Sequence, residues 1–249
     1  MEKLVSILVL STLVAVTGCV SSKEEKSLEK EPVFFNICLI LDGTDRMDKQ
    51  QAIPEIDFSF VMSLVDKIQR SGEGTLWLSW IDDNSENNTN AYLKIVSAPI
   101  QTQLEPKKDW EIRTEYNKKV KEANEQFKSD SIEFEKAKSE RIFVFQKEVQ
   151  EVIRIAYSDK VAKNRKGSDI HGAINLGVRL LKSVPYYNVS HNHLILVSDL
   201  VDNVGKELIS PIPDNITIIS VNQSFSKHQL EGIIEKELAS LEQIYSIIN

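Results

Sequence analysis

The sequence predicts an α/β fold, with a doubly wound, mostly parallel sheet and a long α-helical insertion. Three observations carry that reading. Near-continuous apolar runs of strand length stop at turn or carboxylate residues, as buried parallel strands do. Segments with four-residue apolar spacing lie between those runs, as helices between parallel strands would. One stretch, from Glu105 to Lys166, has no glycine and no proline after Pro106, so nothing in it forces a helix to stop.

Taken in order, Val33 to Leu41 is the first buried strand, closed by Asp42-Gly43-Thr44. Pro54 to Arg70 carries Ile56, Phe60, Leu64 and Ile68 at helical spacing, with Pro54 placed for a first turn and Gly72 past the end. Thr75 to Ile81 is a second strand, stopped by Asp82-Asp83-Asn84-Ser85, and Ala91 to Ala98 is a shorter alternating third. The insertion, at about 105–160, keeps a near-heptad seam of coiled-coil kind through Tyr116, Val120, Ala123, Phe127, Phe134, Ala137, Phe145, Val149 and Val152. It reads as one long helix, or as an antiparallel pair breaking at Lys128-Ser129-Asp130-Ser131. Asp169 to Lys182 is a further helix, and His193 to Ser198 a buried strand ending at Asp199. Asn215 to Val221 is another strand, and Lys227 to Ile248 closes the chain as an amphipathic helix.

The N-terminus has a different character. Leu4 to Val16 is an apolar run after a short charged start, of the length of a secretory signal and too short to span a bilayer. It ends Val16-Thr17-Gly18-Cys19, which resembles a bacterial lipobox. The resemblance implies cleavage after residue 18 and a covalent diacylglycerol plus N-acyl lipid (palmitate) on Cys19. Several acyl chains hold a protein to a membrane durably where one does not. Residues 19–32 are polar and charge-dense, and read as a flexible tether. Residues 33–249 then form the α/β domain. Val20 is not the aspartate that similar lipoproteins use for inner-membrane retention, which points to an outer membrane, facing the extracytoplasmic side of a bacterial cell envelope.

Composition narrows the function classes. A formal net charge of −7 argues against a nucleic-acid partner. With Cys19 lipidated, Cys38 has no partner and reads as a small buried hydrophobe. The histidines form no HExxH arrangement, and His191 and His193 read as surface residues near a strand start. No GxSxG elbow and no GxxxxGK[ST] phosphate loop is present, so the chain does not read as an enzyme.

What remains is a set of oxygen ligands placed where open α/β sheets bind things, beyond the carboxyl ends of strands. These are Asp42 and Thr44 after the first strand, Ser168 before a helix, and Asp199 after a later strand. Carboxylates and hydroxyls of this kind suit a hard dication such as Mg²⁺ or Mn²⁺. Each also has a plain local use: a turn at Asp42-Gly43, a helix N-cap at Ser168, a loop start at Asp199.

The pattern resembles the von Willebrand factor A (VWA) domain, a Rossmann-type fold, and its metal-ion-dependent adhesion site. Asp42 stands at the first position of that family's Asp-x-Ser-x-Ser-Met loop, Thr44 at its second, and Met47 at its end. Ser168 and Asp199 stand at the two later positions. Arg46 departs from the pattern, since a guanidinium is a donor and ligates no cation; it either points away or itself pairs with Asp42 and Asp199. The resemblance implies binding of a protein partner in the envelope, through a divalent metal at Asp42, Thr44, Ser168 and Asp199. The competing expectation is a structural or assembly component of an envelope complex, working through the helical arm with a non-functional metal site.

Overall fold

The computed structural model describes residues 33–43, 53–102, 104–158, 161, 167–202, 204–205, 207–208, 211–221, 230 and 232–248. The signal segment, Cys19 and the tether lie outside the described residues, as do Thr44, Arg46 and Met47.

Strands β1 (Phe34–Asp42), β2 (Glu73–Ile81), β3 (Ala91–Ile95), β4 (His191–Val197), β5 (Ile216–Val221) and β6 (Lys236–Leu238) form one sheet. Their spatial order is β3-β2-β1-β4-β5-β6. All neighbours are parallel except β2 and β3. The chain is thus α/β, with a mixed, mostly parallel sheet. Alternation along β1 explains its unbroken apolar run. Phe35, Ile37, Leu39 and Leu41 enter one core, while Cys38 and Ile40 enter the other. A strand buried on both faces has no polar face to show.

Helix α1 (Phe58–Ser71) and the C-terminal part of α2 (Arg113–Ala156) cover the first face. Helix α3 (Ile170–Lys182) covers the second. Polar groups are satisfied near the amino edge by a buried chain across three strands. Thr75 Oγ1 donates to Asn36 Oδ1 (2.9 Å), and Asn36 Nδ2 donates to Asn192 Oδ1 (3.0 Å). Cys38 is a buried free thiol whose pKa burial pushes up.

Helix α1 starts later than Pro54. Asp57 is its N-cap, with Oδ1 accepting from the Phe60 N–H at 2.7 Å and from Ser59 Oγ at 2.8 Å. Those bonds hold the Asp57 carboxyl below its ordinary pKa. Asp57→Ala should cost about 1 kcal/mol of stability, read as a lowered urea midpoint at neutral pH. A change below a few tenths would mean that water caps this helix as well.

The insertion is one rod. Helix α2 runs 44 residues without a break, through Lys128 to Ser131, where Ser131 Oγ bonds back to the Phe127 carbonyl at 2.7 Å. At 1.5 Å per residue it is about 66 Å long. Its buried residues are Phe145, Val149, Val152 and Ala156, so its close packing on the core is confined to the last turns. They reach the carboxyl edge: a Cβ on Gly43 would fall 1.6 Å from the Ala156 carbonyl oxygen, so only glycine lets the chain leave β1 beneath the end of α2.

The C-terminal segment corrects the sequence expectation of a helix from Lys227 to Ile248. Residues 236–238 are β6, in parallel with β5, and Leu241–Ile247 is a 3-10 helix. Gly232 sits at φ +93°, a left-handed conformation that ends any helical run. The Glu235 N–H then donates to the Ile218 carbonyl at 2.9 Å, aligning the next residues on the sheet edge. The apolar spacing survives as packing, since Leu238, Ile244 and Ile248 enter the first core.

Candidate functional site at the carboxyl edge

Strand register brings the candidate segments to one edge of the sheet. Asp42 is paired with Ile81, so Asp82 lies beside it on one side; Leu41 is paired with Val197, so Ser198 lies beside it on the other. The strand order reverses direction between β1 and β4, and such a switch point leaves a crevice beyond the strand ends.

Asp42 is 1% exposed, and its Oδ2 accepts from Ser198 Oγ at 2.5 Å. The same Ser198 oxygen accepts the Leu200 N–H at 3.0 Å. One residue on, Asp199 is half-buried and its Oδ1 accepts the Val201 N–H at 3.0 Å. Two successive side chains therefore each turn the backbone, and Leu200 directly after them takes φ +61°. A branched residue in the left-handed region is held there by its surroundings.

Ser168 is buried at 4% exposure. Its neighbour Asp169 donates its N–H to the Asp82 carbonyl at 2.8 Å, which fixes the start of α3 against the end of β2. Asp169, rather than Ser168, is the N-cap of α3: its Oδ1 accepts the Gly172 N–H at 2.8 Å. A Cβ on Gly172 would fall 2.1 Å from Asp169 Oδ2, so the cap closes over a residue without a side chain. Asp82 is organised in turn, accepting from Trp80 Nε1 (3.1 Å) and the Asn84 N–H (2.9 Å).

Asp202 joins two of these segments. Its Oδ2 accepts the His171 N–H at 3.0 Å and lies 2.9 Å from His171 Nδ1. Its Oδ1 accepts the Val204 and Gly205 N–H groups at 2.9 and 2.8 Å. One carboxylate thus ties the loop after β4 to the first turn of α3.

Of the four candidate metal ligands, Asp42, Ser168 and Asp199 stand on this one edge, and Thr44 lies outside the described residues. Among the described residues, no three His, Cys, Asp or Glu side chains are grouped to hold an ion. The described candidates are two carboxylates and a hydroxyl, oxygen donors of the type that hard dications take. The sequence reading passed over Ser198 and Asp202 as functional groups. Their partners lie 156 and 31 residues away in the chain, so no local spacing could have flagged them.

No protein-family model and no curated protein matches this chain.

Proposed function

We propose that this protein is an extracytoplasmic lipoprotein, anchored to a bacterial envelope membrane by acylated Cys19, whose VWA-like domain docks a protein partner at the carboxyl edge of its sheet. The observation that carries the reading is the convergence there of Asp42, Ser168 and Asp199 from three separate segments. The strand order β3-β2-β1-β4-β5-β6 is that of a doubly wound sheet, the general class to which the resemblance points. Asp42, Thr44, Ser168 and Asp199 would hold Mg²⁺ or Mn²⁺, and the ion would present a Lewis-acidic position for a carboxylate of the partner. No helix among the described residues is long and apolar enough to cross a membrane.

Calorimetry with Mn²⁺ on the full-length protein in detergent tests the metal. Saturable binding is expected, and its loss in Asp199→Ala. That variant is chosen because the Asp199 side chain is half-buried and its Val201 bond is local, whereas Asp42 is part of the buried framework. No Mn²⁺ signal in the unaltered protein, or an equal signal in Asp199→Ala, removes the metal from the proposal.

A second reading is favoured by two features. The Asp42 carboxylate is engaged by Ser198, as a purely structural acid would be. Helix α2 also leaves Ile132, Phe143 and Val144 more than half exposed. Under that reading the protein assembles an envelope complex through α2, and partner capture from envelope extracts is untouched by Asp199→Ala.

A further inference from the structure

We propose that the free end of α2 is a membrane-contacting tip, at which Trp110 and Ile112, flanked by Lys107 and Arg113, enter the headgroup layer of the membrane that holds Cys19. The inference rests on the lipid-anchored reading above, and four observations support it.

The first is direction. Helix α2 ends against Gly43 at the carboxyl edge. Further back, Glu148 accepts the Tyr92 N–H halfway along the sheet, and Arg141 and Phe134 line a small cleft with Ile95 and Val96. Ile95 is paired with Gly74 at the start of β2, so this cleft marks the amino edge. Residues 113–133 therefore continue past the amino edge, by about 30 Å at 1.5 Å per residue. The chain leading from Cys19 joins the domain at Val33, directly before β1, at the same edge. The tip and Val33 lie at one end of the sheet, and the candidate docking edge is at the other.

The second is reach. Fourteen residue steps separate Cys19 from Val33, and a fully extended chain of that length spans at most about 50 Å. That upper bound on the separation of Cys19 and Val33 exceeds the roughly 30 Å by which residues 113–133 pass the amino edge, so anchoring at Cys19 allows the tip to touch the same membrane.

The third is the chemistry of the tip. Trp110 is 78% exposed and Ile112 60%, large apolar groups that a water-facing loop gains nothing by displaying. Tryptophan beside lysine and arginine is the combination that settles at a bilayer interface, ring in the headgroups and cations on phosphate. Residues 104–121 carry six Lys or Arg against four Asp or Glu, in a chain whose net charge is −7. The local sign suits anionic lipid.

The fourth is presentation. The segment before α2 is strapped onto it by Gln101 Nε2 to Asn124 Oδ1 (2.8 Å) and by Lys119 Nζ to Glu111 Oε1 (2.6 Å). Leu104, Pro106 and Tyr116 line the cleft of about 250 Å³ beside Trp110. Trp110 lines that cleft and stays 78% exposed.

The test uses the full-length lipoprotein in vesicles of phosphatidylcholine and phosphatidylglycerol, with bromine on the acyl chains near the headgroup. Trp77 and Trp80 belong to β2, so the difference between the unaltered protein and Trp110→Phe isolates the Trp110 emission. That emission is expected to be blue-shifted, quenched by the brominated lipid and shielded from aqueous acrylamide. Lys107→Glu combined with Arg113→Glu should reverse all three effects. Labelling with radioactive palmitate reports Cys19 separately. Label on Cys19 with Trp110 open to acrylamide overturns the tip and leaves the anchor standing. No label on Cys19 overturns the anchored reading and the tip with it. Shielding of Trp110 only in whole envelopes, and not in vesicles, assigns the tip to a protein or polymer partner and overturns the proposal.

Discussion

Phe145→Ala should lower the unfolding free energy by about 3–5 kcal/mol, the upper range for deleting a large buried side chain. The size follows from how little holds α2. Over 44 residues its buried side chains are Phe145, Val149, Val152 and Ala156, a stripe at steps of four, three and four. Phe145 is 1% exposed and is the largest of the four. The rest of the helix is stabilised by surface pairs such as Lys118–Glu122 (3.7 Å) and Lys121–Glu125 (3.8 Å), each worth only a few tenths of a kcal/mol in water. Losing the ring leaves a cavity over β2 and β3 and frees the end of α2 that covers Gly43. Urea unfolding at pH 7 measures the cost. Hydrogen exchange should show the amides of 145–156 losing protection before those of β1. A loss under 1 kcal/mol would mean that the C-terminal turns of α2 are not anchored as the burial implies.

Most of the sheet was legible because its strands are buried on both faces, and such strands write themselves as unbroken apolar runs. β1, β2, β4 and β5 are of that kind. β6 is not. Lys236-Glu237-Leu238 has no apolar signature, and its pairing with β5 is a tertiary fact. The same residues fall on a helical spacing, so periodicity pointed to the wrong element until Gly232 is seen in its left-handed conformation. The choice between a rod and a hairpin for α2 was open for a related reason. Lys128 to Ser131 is polar, but no residue there is costly in a helix, and Ser131 bonds its own preceding turn. At the candidate site, Asp42 and Asp199 could be read as acids at strand ends. The cap of α3 fell to Asp169, one residue past the expected Ser168, because its carboxylate reaches the Gly172 N–H. The Ser198 and Asp202 contacts depend on register and on a loop returning to a helix, and neither is written in local sequence.

Acidification from pH 7 to pH 4 should destabilise the protein by about 3 kcal/mol through His193 alone. The sequence reading placed His193 at the surface, yet the ring lies largely within the first face of the sheet, and its Nδ1 is buried without a hydrogen-bond partner. Burial lowers its pKa to about 4, with the charges of His191 and Lys236 adding in the same direction. In the unfolded chain the ring titrates near its ordinary 6.5. Between these values the unfolded state binds the proton and the folded state does not, so stability rises with pH across this window. The contribution is fully present above pH 6.5 and is lost as the pH falls toward 4. Burial between neighbouring strands is the main reason the ring stays neutral. His193 lies between Ile37 on β1 and Thr217 on β5, and the His191 ring is parallel to it at 6.5 Å. A positive charge on His193 would be desolvated there, which penalises the protonated form. Replacing the ring by an apolar residue of similar size, His193→Leu, removes both the orphan nitrogen and the titration. Urea midpoints of this variant should vary little between pH 6.5 and 4.5 beyond the drift set by the carboxylates. At pH 7 its stability should match or exceed that of the unaltered protein, since a buried polar atom with no partner is a cost that the leucine does not carry. An unchanged pH slope in His193→Leu would show that the acid sensitivity resides elsewhere, and that the ring is hydrated in solution.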